Sequence, residues 1–154
     1  FLILAIGLVT IMGPSLTNAT IAIGLGATPT YIRLTRGLVL STAAEDYVQG
    51  ARALGAGDLR LMSRHVLPNI VCSLMVQATI SIPIAIIAEA VLSFLGLGVQ
   101  PPAPSWGTML NTAQQFLDTA PWMAWWPGIA IFSLALSFNL AGDGLRDLLD
   151  PRDY

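Results

Sequence analysis

Residues 42–68, TAAEDYVQGARALGAGDLRLMSRHVLP, form a polar, arginine-bearing island in a chain that is otherwise mostly apolar. Thr42 followed three residues later by Glu45 reads as a capping box, each side chain satisfying a backbone donor at a helix start. Tyr47, Ala51 and Leu54 then recur at i, i+4 and i+7, which places them on one stripe of a short helix. Glu45, Gln49 and Arg52 share that spacing on another face. Gly55 and Gly57 supply the permissive backbone that ends a helix. Asp58 is expected to cap a second short helix, which Pro68 should stop near Leu67 by restricting the residue before it. The island therefore reads as helix, glycine elbow, helix, set between hydrophobic runs. Such a bend is either a plain surface loop or a contact device.

The surroundings decide the class. Of 154 residues, 55% are hydrophobic and 10% charged, with a mean hydropathy of +0.70. Soluble domains carry about 25% charged residues, so this composition points to a membrane protein. All seven basic residues are arginine and the net charge is −2, which leaves no basic footprint for nucleic acid. A single cysteine, Cys72, excludes an internal disulfide and a cysteine metal cluster, and in an apolar run it reads as filler. The chain opens on Phe1 within an apolar run that lacks a charged n-region, so it does not read as a signal peptide. A C-terminal portion of a longer protein is the expectation.

Four apolar stretches are expected to sit in a bilayer: residues 1–12 as a partial span, then 16–40 with a kink at Pro29, 68–94 and 119–142. Val66 to Ala88 runs 23 residues without a charge, and Pro68 suits the first turn of a helix. Residues 95–118 carry Pro101, Pro102 and Pro104 and are read as a loop, with a short helix over residues 105–117. Trp122, Trp125 and Trp126 resemble an interfacial belt. Arg33, Arg36, Arg52, Arg60 and Arg64 lie in or beside the island, and Arg146 and Arg152 in the tail, whereas residues 95–118 hold none. The positive-inside rule then makes residues 41–67 and the C-terminus cytoplasmic and the proline-rich loop external.

Within residues 68–94 the polar side chains Ser73, Gln77, Ser81, Glu89 and Ser93 recur at multiples of four. Steps of four advance roughly 40° past a full turn, so Ser73, Gln77 and Ser81 share a face and Glu89 has rotated away. Two readings are open: contact with a water-filled path, or interhelical hydrogen bonding. Glu89 is the one acid deep in an apolar run, and it either makes a structural hydrogen bond or serves a gate or pathway. His65, beside Arg64, reads as an interfacial contact rather than a proton relay. No P-loop, paired carboxylates or serine–histidine–aspartate set supports chemistry. Asp143, Asp147, Asp150 and Asp153 alternate with Arg146 and Arg152, which suits a solvated helix end closed by Pro151.

The island resembles the cytoplasmic loop of bacterial ABC-importer permease subunits, whose pattern runs E-A-A, three residues, Gly, nine residues, I-x-L-P. Gln49, Gly50 and Ala51 hold the E-A-A positions, Gly55 the glycine, His65 the isoleucine position, and Leu67 and Pro68 close it. Gln49, Gly50 and His65 depart from the general pattern. Glu45-Asp46-Tyr47, Ala51-Arg52-Ala53-Leu54-Gly55 and Arg64-His65-Val66-Leu67-Pro68-Asn69 are close to the dipeptide, oligopeptide and nickel group. Two further strings resemble that group's outer loop (residues 93–102 with Pro104-Ser105-Trp106-Gly107) and its ending (Asn139-Leu140, residues 142–147 and Asp150-Pro151-Arg152).

This resemblance implies an all-α, polytopic transmembrane bundle, the C-terminal portion of a type I importer permease. It implies that Glu45, Tyr47, Gln49, Gly50, Ala51, Arg52, Leu54, Gly55 and Ala56 contact cytoplasmic ATP-binding-cassette subunits, with Tyr47 and Leu54 as apolar anchors and Gly50, Ala51 and Gly55 permitting close approach. It further implies a second, homologous permease, an external substrate-binding protein and membrane lipid as partners, with peptides as cargo, or less readily nickel or glutathione-like conjugates. ATP hydrolysis belongs to the partner, so no catalytic residue and no cofactor are expected here. Ser73, Gln77, Ser81 and Glu89 are the candidate path residues. The competing reading is a secondary transporter or channel with Glu89 as its coupling acid.

Overall fold

The computed structural model describes residues 1–149. Among them all regular structure is helical: α1 (Leu2–Met12), α2 (Leu16–Ala43), α3 (Asp46–Ala53), α4 (Asp58–Leu61), a π turn (Met62–Val66), α5 (Leu67–Phe94), α6 (Trp106–Ala113), a 3-10 turn (Gln114–Phe116) and α7 (Trp122–Leu149). The expected short helix in the proline-rich loop is thus present as α6 and its 3-10 extension. Residues Asp150, Pro151, Arg152 and Asp153, which figure in the reading of the tail, lie outside the described residues, as does the side chain of Asp147.

The long helices α2, α5 and α7 each have 28 residues and each contains a proline, Pro29, Pro83 and Pro127 respectively. At 1.5 Å per residue each is about 42 Å long. A proline removes one intrahelical donor, and a helix packed in a bundle tolerates that loss. Between α1 and α2 the chain turns at Gly13, whose φ of 90° suits glycine. Asn18 closes this turn by donating its amide to the carbonyls of Met12 and Gly13, both at 2.9 Å, and Ser15 caps α2 by accepting from the Asn18 N–H at 3.2 Å.

Both neighbours run antiparallel to α5. On the α7 side, Ile87, Ala90 and Val91 face Gly128, Ile131 and Ala135. Farther toward the start of α5, Gly142 lies so close to Thr79 that an added Cβ would sit 3.2 Å from the threonine Cβ. On the α2 side, Tyr31 reaches Ser81, while Ala22 and Ile23 pack with Ala88 and Leu92 and with Ala5 and Val9 of α1. The small alanines of this cluster let the helix backbones approach closely, the usual solution where hydrophobic exclusion does not drive association. This antiparallel arrangement gathers the island and the Arg146 end of α7 at one end of the bundle. The proline-rich loop and the start of α2 lie at the other.

Two continuous helical bodies are long and apolar enough to cross a membrane, Asp58–Phe94 (37 residues) and Trp122–Arg146 (25 residues). They are not the core of a soluble globule, because their apolar side chains face outward; Trp126 is 73% and Phe132 66% exposed. The chain exposes 10395 Å², against roughly 7,500 Å² expected for a compact soluble monomer of this mass. By contrast α2 has the length but not the composition, since Asn18, its threonines, Arg33 and Arg36 dilute its apolar content. The expected span over residues 16–40 is thus long enough but less apolar than these two.

Several local expectations are corrected. Thr42 lies inside α2, which runs to Ala43, and Glu45 is the N-cap of α3 without a side-chain bond, so the predicted capping box does not form. The capping box of the described residues is at Ser105 and Thr108, opening α6. Gly57, not Asp58, caps α4, and Asp58 instead faces Arg52 at 3.5 Å. Pro68 does not end a helix. The π turn before it widens the ring so that the Leu67 N–H bonds the Met62 carbonyl, and Leu67 is helical at φ −56° and ψ −46°. Insertion of such a turn lets the helix pass a residue that lacks a donor. The island therefore flows into α5 without a break.

Candidate functional site

The island is pinned to the bundle by one side chain that its periodicity obscured. Val48 is 3% exposed and packs with Leu61, Val66 and Ile70, flanked by Leu38, Val39, Ala51, Ala56 and Leu74. Burying a valine stabilises by roughly 1.5 kcal/mol or more. Val48 and Ala51, three apart, are the inward face of α3. The stripe Tyr47–Ala51–Leu54 straddles two faces instead, with Ala51 turned inward and Leu54 91% exposed. Ala56 also packs against the inner cluster. Glu45, Tyr47, Gln49, Gly50, Arg52, Leu54 and Gly55 are exposed.

Beside them lie apolar groups that the sequence reading omitted, Met62 and Leu59, the latter 85% exposed. Three apart, these two fall on one side of the helical body that begins at Asp58. An exposed leucine alone means little, but three large apolar side chains, Leu54, Leu59 and Met62, are exposed within nine residues of a polar segment.

Gly55 has φ +84°, and no atom lies within 4 Å of where its Cβ would stand. The glycine is therefore required by backbone conformation, not by a close-packed elbow within the chain. Gly50 is likewise open. The elbow is closed by the Ala56 N–H, which bonds the Ala51 carbonyl at 3.1 Å, and by the Gly55 N–H to the Arg52 carbonyl at 3.0 Å. Gln49 donates its amide to the Ala43 carbonyl at 2.9 Å, tying α3 to the end of α2. Tyr47 stands against His65 with ring centroids 6.4 Å apart. Its hydroxyl accepts from the Asn69 amide at 2.7 Å, and that amide also donates to the His65 carbonyl at 2.8 Å. His65 thus packs on Tyr47, and Asn69 is the missed partner that ties α3 to the first turn of α5.

The four candidate path residues do not act as one set. A cavity of about 530 Å³ between α2 and α5 is lined by Gln77 and Ser81 together with Tyr31, Thr30 and Ala27. The Tyr31 hydroxyl donates to Ser81 Oγ at 3.1 Å, and Ser81 Oγ donates to the Gln77 carbonyl at 2.8 Å. Tyr31 is fifty residues from Ser81 in sequence, so no periodicity could have paired them. Ser73, one turn before Gln77, is exposed and does not line this cavity. Glu89 is two turns beyond Ser81 and bonds Ser93 instead, whose hydroxyl donates to Oε1 at 2.5 Å. Ser81 thus bonds across to α2 and also lines this cavity, while Glu89 is engaged within its own helix.

Residues 1–152 match the family described as binding-protein-dependent transport system inner membrane component. The chain is 51% identical over 151 residues to the di/tripeptide transport system permease protein of Pseudomonas aeruginosa, covering 98% of this chain and 50% of that protein. It is 49% identical to the dipeptide transport system permease protein of Escherichia coli over the same shares of each chain. With the glutathione transport system permease protein of Escherichia coli it shares 45% identity, again over 98% and 50%. The chain spans about half the length of these relatives.

Proposed function

Since the chain belongs to the binding-protein-dependent transport system inner membrane component family, we propose that it is part of the permease of an ATP-driven importer of short peptides, working in the inner membrane. The relatives' names support peptides over other cargo, as two of the three compared carry di- or tripeptides in their descriptions. The island faces the cytoplasm, as does the Arg146 end of α7, and the proline-rich loop faces outward. Alpha helices α2, α5 and α7 cross the bilayer, α2 doing so against its neighbours. The outward surface of Tyr47, Gln49, Gly50, Arg52, Leu54 and Gly55, extended by Leu59 and Met62, seats in a groove of a cytoplasmic ATP-binding subunit. A second permease covers the remaining apolar faces, and an external binding protein delivers cargo to residues 95–118.

One observation carries this reading: exposed apolar side chains stand on both sides of a glycine elbow whose first helix, α3, is fixed by Val48 against the helical body Asp58–Phe94 that runs on into α5. Leu54 and Leu59 are available to a partner, while the backbone that presents them is held by the Tyr47–Asn69 and Gln49–Ala43 bonds. ATP hydrolysis lies with the partner, and this chain converts the closing of the ATP-binding subunits into displacement of α5. The cavity lined by Tyr31, Gln77 and Ser81 is its contribution to the path, where hydroxyl and amide groups meet the peptide bonds of the cargo.

Gly55→Asp in the full-length transporter tests this. A side chain at positive φ costs roughly 1 to 2 kcal/mol, and a carboxylate is added where the partner must approach. ATP-dependent uptake in vesicles should fall by more than about tenfold while membrane insertion is retained. Full uptake in that variant would overturn the docking assignment.

A further inference from the structure

The end of α5 closes around a single hydroxyl. Ser93 is 1% exposed, and both of its hydrogen-bonding capacities are used: it donates to Glu89 Oε1 at 2.5 Å and accepts the Val99 N–H at 3.0 Å. With its proton committed to the Glu89 oxygen, the serine turns a lone pair toward the loop.

The loop is moulded to this point. Gly96, at φ +77°, turns the chain back over the helix end, where the N–H groups of Leu97 and Gly98 both bond the Leu92 carbonyl, at 2.8 and 3.1 Å. A Cβ on Gly98 would strike Ser93 Oγ and come within 2.9 Å of Ser93 Cα. From the other side, a Cβ on Gly107 would strike the Ala90 carbonyl and come within 2.7 Å of Ser93 Cβ. Asn111 adds a bond from its amide to the Phe94 carbonyl at 2.7 Å. Glu89, Ser93, Gly98 and Gly107 therefore act on one spot.

We propose that Glu89 is a positioning residue: through Ser93 it latches the loop of residues 95–105 to the end of α5, so that loop and helix move as one body. An intramembrane acid is expected to lie on a path or relay, yet Glu89 does not line the cavity that holds Gln77 and Ser81. Its carboxylate serves the loop. In the importer reading, on which the functional consequence rests, this loop is where a binding protein is received, and the latch keeps that reception surface in register with α5.

The test uses the full-length permease assembled with its partner subunits in lipid nanodiscs. Hydrogen exchange is followed over residues 97–100, and the concentration of binding protein giving half-maximal uptake is measured in proteoliposomes. Ser93→Ala removes one oxygen and adds no bulk, so folding is retained. It should speed exchange over residues 97–100 by about tenfold, the equivalent of a lost buried hydrogen bond, and raise the half-maximal concentration several-fold with maximal uptake little changed. Glu89→Ala should do the same. Glu89→Gln should stay near the wild type, because the amide oxygen still accepts the serine proton. Exchange within about twofold of wild type in Ser93→Ala, or equal loosening by Glu89→Gln and Glu89→Ala, would overturn the latch. Exchange is read without transport, so the latch can fail while Gly55→Asp still blocks uptake, and the reverse outcome is equally distinct.

Discussion

Val48 shows how much one side chain decides. It is the floor on which α3 rests, and Val48→Ala should lower the thermal stability of the purified permease by roughly 1 to 3 kcal/mol, with uptake reduced because the exposed surface loses its support. A melting curve indistinguishable from wild type would show that the island is held by its polar bonds alone. Gly107→Ala belongs at this scale too. Its Cβ meets a backbone carbonyl, which cannot swing aside as a side chain can, so the variant should destabilise by roughly 1 to 3 kcal/mol; unaltered thermal stability would mean that α6 shifts freely on α5. Residue roles were legible where they depended on local backbone: Gly55 was marked as an elbow by its place after a helical stripe. They were illegible where they depended on contacts distant in sequence, as with Tyr31 on Ser81 and Asn69 on Tyr47.

Among the elements, the segment from Asp58 to Phe94 is the informative one. Pro68 predicts a helix that stops before it and another that begins there, because the residue preceding proline disfavours helical backbone. The π turn reconciles the two preferences, and no apolar period announces such a turn. The same explains the misplaced capping box. Thr42 and Glu45 have the right types and spacing, but α2 continues through Ala43, whose carbonyl takes the Gln49 amide, so Thr42 is not free to act as a cap. Arg52 and Asp58 form the ion pair found among the described residues, at 3.5 Å and with both side chains exposed. Exposed pairs contribute little, so Asp58→Asn should leave the melting temperature unchanged within error. A marked drop would show that this pair, not the Ala56 and Gly55 backbone bonds, sets the elbow.

For the whole molecule, composition alone was enough to separate an apolar bundle from a soluble domain, and the order of apolar runs matched the order of long helices. What it could not give was which faces meet, since α5 and α7 carry apolar residues all round and the close fit of Gly142 on Thr79 has no signal in the apolar period. Orientation can be read directly in cells. With Cys72 replaced by serine, Ala103→Cys should react with a membrane-impermeant maleimide on intact cells, and Leu54→Cys only after the membrane is opened; the reverse pattern would invert the topology. The unbroken body of 37 residues from Asp58 to Phe94 also has a mechanical consequence. It is about 55 Å long, so a tilt of about 10° about its midpoint carries each tip through about 5 Å, and the two tips travel in opposite senses. A seesaw cannot have both ends up. Were α5 to pivot in this way, the inner mouth would widen as the outer one narrowed, and leakage through a doubly open state would be prevented by stiffness alone.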